Sequence, residues 1–285
     1  MNTYMISARR LIVAAAAILA FSVLSAQETC RFKPSETLLL YPEGQNVDKG
    51  IALGPGESNG LTGDEVVMDW GKGNTSNTGD QARIDLYLPE KPNGQMVIIC
   101  PGGGYAFTSC SNEGTYVADW LMERNIAACI VRYRMPNGHH NVPLTDVQNA
   151  FRYCRANAEK WGVNQIGVIG FSAGGHLAAS VSTLYVDRET KPDFSILIYP
   201  VISFDWDITH YGTRENLIGT KAELEGRYSL ENNVNKRTPA TFIALCQDDT
   251  TVDPENSMRY YQKLLDFGVP AEIHIWPKGG HGFGF

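Results

Sequence analysis

Ser172 lies at a boundary between two sequence patterns. It is the centre of GFSAG, residues 170–174, which follows an apolar run and precedes a stretch with helical spacing. A G-x-S-x-G sequence between a strand and a helix is typical of a strained turn that exposes a serine hydroxyl above a sheet. The residues two before and two after the serine come close together there, which leaves little room for side chains. The pattern predicts a serine nucleophile; the alternative is an ordinary tight turn in a chain with 28 glycines.

A serine hydroxyl needs a base to remove its proton, and six histidines compete for that role. His281 is the strongest candidate, because the glycine-rich sequence KGGHGFGF follows the last predicted strand and can bring an imidazole back over the edge of the sheet. The other five have other predicted surroundings. His176 is expected to pack within the fold, and His139 and His140 to lie in a solvated, turn-rich loop. His210 falls in a long irregular segment, and His274 falls in a strand.

An acid must orient that base, and residues 245–257 (LCQDDTTVDPENS) offer three aspartates directly after a predicted strand. Asp253 precedes Pro254 and suits a helix cap, because an acidic group near a helix start complements the helix dipole. The adjacent pair Asp248 and Asp249 remains, and we expect one of the two to face the histidine.

Backbone donors for a developing oxyanion are available in CPGGGYAF, residues 100–107, which follows a buried strand. Successive glycines let N–H groups approach an oxygen without obstruction by side chains, and the amide of Ala173 would complete such a site. Each donor typically contributes about 10²–10³ in rate. The alternatives are a flexible turn or a phosphate-binding loop. However, the spacing differs from G-x-x-x-x-G-K-[ST], and no lysine follows.

The elements that must position these residues alternate between strand and helix from residue 82 onward. Apolar runs predict strands, and apolar steps of three or four residues predict helices. The predicted strands are 82–89, 96–100, 126–133, 166–170, 194–200, 241–246 and 271–276. The predicted helices contain residues 116–121, 147–161, 173–185 and 254–267. The alternation predicts an α/β fold with a mostly parallel sheet and helices on both faces.

Three segments fall outside this alternation. Residues 1–26 carry two arginines, an apolar run and a small-residue stop, which predicts a cleaved secretory signal; the alternative is an uncleaved anchor. Residues 27–80 are rich in Gly, Pro, Asn and Asp and predict an extended lead-in with one or two edge strands. Residues 203–238 are polar and weakly periodic, and they predict either connecting helices or a substrate-facing lid.

Charge and cysteine content narrow the function classes. Removal of the two arginines in the signal segment would change the formal charge from −7 to −9. Such an acidic chain is a poor candidate for binding nucleic acid or an anionic membrane. Four of the six cysteines are predicted to be buried thiols without a disulfide: Cys100, Cys129, Cys154 and Cys246. No spacing resembles a zinc site.

The combined motifs resemble the α/β-hydrolase superfamily, and more closely its exported esterase and lipase group, which includes bacterial acetyl xylan and feruloyl esterases. The resemblance runs from about residue 80 to the end of the sequence, as a single domain over 27–285. It is carried by PGGGY, GFSAGGHLAA, TPATFIALCQDD and PKGGHGFGF. The chain order of serine, aspartate and histidine also agrees with this superfamily.

The resemblance implies a role for each matching residue. Ser172 would be the nucleophile, His281 the base, and Asp249 the acid, because an Asp-x-x-Val pattern precedes a helix; Asp248 is the fallback. The implied oxyanion donors are the amides of Gly103, Gly104 and Ala173. Two departures stand out: Pro101 replaces a histidine that is frequent before the three glycines, and Phe285 comes only four residues after His281, where relatives usually continue into a closing helix.

The function implied is a secreted or periplasmic serine esterase without metal or cofactor. Its substrates would be short-chain esters, acetyl first, on plant polysaccharide or oligosaccharide, with no nucleic-acid partner and no stable membrane anchor. Tyr105, Trp206 and Tyr211 are candidates for substrate contact, the last two by stacking on a sugar; the alternative for these two is core packing. Two other functions stay open: a peptidase related to prolyl oligopeptidases, and a non-catalytic carbohydrate-binding module.

Overall fold

The computed structural model describes residues 30–41, 82–136 and 138–284, together with two short strands at 66–68 and 75–77. The predicted signal segment 1–26 lies outside these residues, as does most of the predicted lead-in 27–80. The described residues from Phe32 onward belong to one compact unit.

Strands of the described residues form an eight-stranded sheet and a separate two-stranded one. The strands are β1 Glu36–Leu39, β2 Val66–Met68, β3 Thr75–Asn77, β4 Arg83–Tyr87, β5 Gln95–Cys100, β6 Ala127–Arg132, β7 Gln165–Phe171, β8 Phe194–Ile198, β9 Ala240–Cys246 and β10 Ala271–Trp276. In the large sheet the order is β1-β4-β6-β5-β7-β8-β9-β10. The pairings of β4 with β1 and with β6 are antiparallel, and all others in this sheet are parallel. The mostly parallel sheet predicted from the sequence is confirmed.

Six α-helices accompany the strands in the part of the chain that the structure describes. They are α1 Tyr116–Met122, α2 Val142–Asn157, α3 Ser172–Thr183, α4 Tyr211–Ile218, α5 Glu225–Tyr228 and α6 Glu255–Asp266. Crossovers between parallel strands are right-handed in nearly all proteins. The strand order therefore places α1 on one face of the sheet and α2, α3 and α6 on the other, as the sequence predicts.

The core is centred on β5, β7 and helix α3. The apolar run Met96–Cys100 is buried along its whole length, which agrees with a central strand covered on both faces. Helix α3 has no exposed residue, because small side chains dominate it and it lies between the sheet and its neighbours. Its first residue is Ser172, so the predicted nucleophile stands where the most buried helix meets a central strand.

The sequence placed the start of α2 too late. Apolar spacing marks a helix from Val147, whereas α2 begins at Val142. Pro143 lies in its first turn, where a missing N–H is tolerated, because the first N–H groups of a helix have no intrahelical partner. The four predicted buried thiols are buried and form no disulfide, as expected.

The predicted insert 203–238 consists of short helices and turns. It contains α4, α5 and two 3₁₀ turns at Ala222–Leu224 and Leu230–Asn233. Buried side chains of this segment, such as Phe204, Leu217 and Tyr228, join the main core. The segment is therefore packed against the rest of the fold, and it contains helices, which was one of its two predicted forms. That it also acts as a lid over the substrate stays a prediction.

Candidate active site

The turn at Ser172 is tight, because the end of β7 approaches the start of α3 and that start approaches the end of β5. A Cβ atom added to Gly170 would lie 2.1 Å from the carbonyl oxygen of Gly174, and one added to Gly174 would lie 2.1 Å from that of Cys100. Both positions therefore require glycine. Ser172 itself has a φ of 53°, a left-handed conformation that costs a non-glycine residue roughly 1–3 kcal/mol. The strained turn predicted from the sequence is present.

His281 links Ser172 to an aspartate. Its Nε2 lies 2.9 Å from the Ser172 hydroxyl oxygen, and its Nδ1 lies 2.7 Å from Oδ2 of Asp249. The Nδ1–H group donates a hydrogen bond to the carboxylate, which leaves the lone pair of Nε2 free to take the serine proton. The carboxylate of Asp249 is in turn fixed, because its Oδ1 accepts the N–H groups of Thr251 and Val252, each at 2.9 Å. The arrangement has the connectivity of a nucleophile, a base and an orienting acid.

Asp248, the fallback acid, has a different partner. Its Oδ1 accepts the N–H of Gly280 at 2.7 Å, so this exposed carboxylate holds the loop that carries His281 without touching the imidazole. Asp253 accepts the N–H of Glu255 at the start of α6, which agrees with the predicted cap. The structure thus separates three aspartates that the sequence places within six residues.

The predicted oxyanion donors have no partner within the described part of the protein, and their loop passes Ser172: a Cβ atom added to Gly102 would lie 2.9 Å from the Ser172 Cβ. Among the described residues, no acceptor contacts the N–H groups of Gly103, Gly104 or Ala173. The N–H of Gly102 is unavailable, because it donates to the carboxylate of Glu113 at 2.7 Å. N–H groups without an internal acceptor, next in the chain to the nucleophile or on a loop that passes it, can stabilise the negative charge of a tetrahedral intermediate.

Glu113 and Tyr199 form a buried network that sequence reasoning missed. Glu113 lies in a π-helical turn, Ser111–Thr115. The Tyr199 hydroxyl donates a hydrogen bond to its second carboxylate oxygen at 2.8 Å. The Tyr199 oxygen accepts the N–H of Gly284 at 2.9 Å, and its ring lies 4.7 Å from the His281 ring. Burial raises the pKa of Glu113, and its bonds to Tyr199 and Gly102 oppose that rise. The network joins the loop after β5 that carries the proposed oxyanion donors (the oxyanion loop, residues 101–107) to the loop that carries His281.

No sequence signal identifies this network. Glu113 lies 86 residues from Tyr199 in the chain, within a polar stretch without periodicity. A buried carboxylate at a π-helical turn is a feature that only the folded chain reveals, although such turns are frequent at functional sites.

His176 is a core residue, as expected. Its Nε2–H donates a hydrogen bond to the Tyr228 carbonyl at 2.9 Å, and its Nδ1 accepts a hydrogen bond from the Tyr105 hydroxyl at 3.0 Å. Burial lowers the pKa of His176 to about 4, so the ring is neutral at neutral pH. His140 is half-buried: its Nδ1 lies 2.6 Å from the hydroxyl of Tyr228, which belongs to the 203–238 segment.

The prediction that Tyr105 contacts substrate is wrong. Tyr105 is only 2% exposed, and its hydroxyl is used by His176 in the core. Its ring packs edge-on against the rings of Tyr133 and His176, with centroids 6.1 and 5.8 Å away.

Trp206 and Tyr211 are exposed, which argues against the core-packing alternative. They are 58% and 56% exposed, and their ring centroids are 5.7 Å apart. The Arg214 guanidinium lies 4.3 Å from the centre of the Trp206 ring and supports it from one side. Their role in binding substrate stays a prediction.

Helix α4 is tied to the oxyanion loop. The amide of Asn216 donates to the carbonyl of Gly104 at 2.8 Å. His210, which precedes α4, lies beside the same loop, since its Cε1 is 3.9 Å from the place that a Cβ of Gly104 would occupy. The 203–238 segment therefore borders the serine site.

In the described ranges, no three His, Cys, Asp or Glu side chains converge as metal ligands, and no helix is long and apolar enough to cross a membrane.

Residues 97–285 match the family model described as the alpha/beta hydrolase fold. The chain belongs to the alpha/beta hydrolase family. Among alpha/beta hydrolases of known structure, the chain is similar to an acetyl ester-xyloside bifunctional hydrolase from Caldicellulosiruptor lactoaceticus. The two are 29% identical and superpose with a TM-score of 0.72 over 90% of each chain. The fold predicted from the sequence is confirmed.

Two curated relatives extend this comparison. An acetylxylan esterase of Xylanibacter ruminicola is 39% identical over 220 residues, which cover 74% of this chain and 45% of the relative. An endo-1,4-beta-xylanase B of Butyrivibrio fibrisolvens is 33% identical over 205 residues, which cover 65% of this chain and 32% of the relative. The chain therefore spans less than half the length of each of these two relatives.

Proposed function

We propose that this alpha/beta hydrolase is a serine esterase that cleaves short-chain carboxylic esters, acetyl esters first. The observation that carries the proposal is the continuous hydrogen-bonded series from Ser172 through His281 to Asp249, at 2.9 and 2.7 Å. The N–H groups of Gly103, Gly104 and Ala173 add the donors that acyl transfer requires.

The reaction proceeds in two halves. His281 takes the hydroxyl proton of Ser172 as the serine oxygen attacks the ester carbonyl, and the backbone N–H groups bind the resulting oxyanion. Collapse breaks the bond to the alcohol, which leaves with the proton from His281, and an acyl-serine forms. Water then attacks this acyl group with His281 as base, the carboxylate is released, and Ser172 regains its proton. Asp249 stabilises the imidazolium in both halves.

The proposed natural substrate is an acetyl ester on a plant polysaccharide or oligosaccharide. The names of the relatives support this choice, because one is an acetylxylan esterase and another a xylanase. The exposed aromatic pair Trp206 and Tyr211 also supports it, because aromatic rings offer apolar faces on which sugar rings stack.

Hydrolysis of p-nitrophenyl acetate by the protein and by its Ser172→Ala variant tests the proposal. We expect activity on acetate that exceeds activity on butyrate and long-chain esters, and its loss in the variant. Equal activity in both proteins would remove Ser172 from the mechanism. Acetylated xylan oligomers and a long-chain triglyceride then separate the substrate classes, and preference for the triglyceride would overturn the polysaccharide assignment.

We also propose that the protein is exported. The basic, apolar and small-residue pattern of residues 1–26 supports this. Expression in a bacterial host followed by fractionation and N-terminal sequencing tests it. We expect a product outside the cytoplasm that begins after Ala26, whereas a cytoplasmic product that retains residues 1–26 would overturn the proposal.

A further inference from the structure

At the border of the active site, His210 accepts a hydrogen bond from which the tautomer of its ring can be inferred. It precedes helix α4, and its Nδ1 accepts the N–H of Thr213 at 3.2 Å and lies 2.7 Å from the Thr213 hydroxyl. An amide N–H can only donate, so Nδ1 carries a lone pair and the proton of the neutral ring is on Nε2. Burial lowers the pKa of His210, as does the charge of His281, while Asp249 opposes the change. The neutral ring is therefore the form present at neutral pH.

The Nε2 atom of His210 is available to a ligand. No acceptor contacts it among the described residues, and it is not one of the enclosed polar atoms without a partner. The ring lies against Gly104, one of the proposed oxyanion donors, since its Cε1 is 3.9 Å from the place of a Cβ there. Asn216 holds α4 to the carbonyl of the same glycine. A donor N–H thus stands next to the oxyanion loop on an anchored element.

Exposed aromatic rings lie next to this donor in the chain. Tyr211 follows His210 directly in the chain, and Tyr211 pairs with Trp206 at the surface. When the carbonyl oxygen of an ester binds at Gly103 and Gly104, the acyl group occupies the place of the future acyl-serine. The alcohol part of the ester must then occupy a different part of the site. An alcohol part directed toward α4 would have the His210 imidazole, beside Gly104, and the exposed ring of Tyr211 as neighbours.

We propose that His210 binds the saccharide part of the substrate, with its Nε2–H donating a hydrogen bond to a hydroxyl or ring oxygen of the sugar. Trp206 and Tyr211 form the stacking surface beyond it. The subsite selects esters of sugars over esters of alcohols that lack an acceptor. This inference rests on the proposed esterase function, because it assigns the alcohol side of the same site.

The variant His210→Asn isolates this hydrogen bond. Asparagine is a favoured N-cap residue, so its side-chain oxygen can still accept the N–H of Thr213, whereas the side chain is too short to replace Nε2. A neutral hydrogen bond changes binding by about 3- to 10-fold. We expect KM for an acetylated xylo-oligosaccharide to rise by that factor and kcat to change less than about twofold. We expect the loss in kcat/KM on the oligosaccharide to exceed the loss on p-nitrophenyl acetate by about threefold or more, because the alcohol part of the latter offers no sugar oxygen.

Two comparisons make the result decisive. Trp206→Ala should raise KM for the oligosaccharide in the same direction, whereas Trp120→Ala, which removes an exposed tryptophan on α1, should not. Equal losses on both esters for His210→Asn, or no change on either, would overturn the subsite while leaving the esterase intact. Failure of the unmodified protein to hydrolyse either ester would instead overturn the proposed function, and the subsite with it.

A spectroscopic measurement tests the tautomer without any substitution. Long-range ¹H–¹⁵N correlation of the histidine rings at neutral pH reports which nitrogen carries the proton, and His210→Asn supplies the assignment. We expect His210 to be protonated at Nε2 alone. Protonation at Nδ1 would overturn the proposal, because the lone pair would then face the sugar.

Discussion

At the scale of single residues, the site separates neighbouring groups of the same type. Asp248 and Asp249 are adjacent and chemically identical, yet one holds a glycine N–H and the other holds the imidazole of His281. The side chain of Asp249 is almost fully buried and fixed by two backbone N–H groups. A fixed carboxylate can set the tautomer of His281, whereas an exposed one on a loop cannot.

This difference predicts the outcome of a matched pair of substitutions. Asp249→Asn should lower kcat on p-nitrophenyl acetate by about 10²–10⁴-fold, because the neutral amide neither fixes the tautomer nor stabilises the imidazolium. Asp248→Asn should lower it less than about tenfold, since an amide oxygen can still accept the N–H of Gly280. Steady-state kinetics of the two purified variants provide the measurement. A larger loss in Asp248→Asn would reverse the assignment of the acid.

The residue scale also shows what the sequence could and could not predict. Ser172, His281 and the oxyanion glycines were predictable because each follows a strand in a local motif. The choice of Asp249 needed a family pattern, since spacing alone left Asp248 open. Tyr105 was misjudged because its burial depends on contacts with His176 and Tyr133, which are distant in the chain and which the local sequence does not indicate.

At the scale of elements, two loops must meet over α3 for the site to form. The oxyanion loop follows β5 and the His281 loop follows β10, and these strands are not neighbours in the sheet. Glu113 and Tyr199 bridge the two loops through Gly102 and Gly284. Sequence analysis predicted the loops but missed the bridge, because its contacts join distant, non-periodic positions.

We therefore expect Glu113→Gln to lower kcat by about tenfold or more with a smaller change in KM. A glutamine oxygen can still accept the N–H of Gly102, but the NH₂ group then faces Tyr199 and can only donate to it, so the hydrogen bond from the Tyr199 hydroxyl to a carboxylate is lost. Tyr199→Phe should act in the same direction, and the double variant should lose less than the product of the single losses, because both remove one network. Glu159→Gln, an exposed substitution, is the control. Fully multiplicative losses would show that the two residues act separately.

The turn that holds Ser172 makes a second prediction at this scale. Gly170→Ala would place a methyl group 2.1 Å from the Gly174 carbonyl oxygen, a distance that the backbone cannot relieve locally. We expect this variant to give little soluble, folded protein. Gly226→Ala adds the same atom where nothing lies within 4 Å, and it should fold normally. Circular dichroism and the soluble yield of the two variants decide the matter; equal folding would mean that the turn is more open than described.

At the scale of the whole molecule, a fully buried neutral histidine makes stability depend on pH. The pKa of His176 falls to about 4 in the folded protein, against about 6.5 in an unfolded chain. Between these values the unfolded chain binds a proton that the folded protein does not. This contribution to stability is complete above about pH 6.5 and is lost as the pH falls toward 4.

The free energy of unfolding should therefore fall by about 3 kcal/mol from this group across that window. Urea titrations at pH 7 and pH 5 measure most of the fall. His176→Gln should be less stable at pH 7, because a glutamine replaces the buried ring imperfectly, and should show a flatter dependence between the two pH values. The same slope in both proteins would assign the pH dependence to carboxylates instead.

The different attachment of Ser172 and His281 has a consequence for how the protein fails under stress. Ser172 begins a helix inside the core, whereas His281 lies in a largely exposed loop held by the N–H groups of Gly280 and Gly284 and by the amide of Asn112. Local openings break few contacts and precede global unfolding. Turnover should therefore vanish at urea concentrations where circular dichroism is still unchanged, and return at once on dilution.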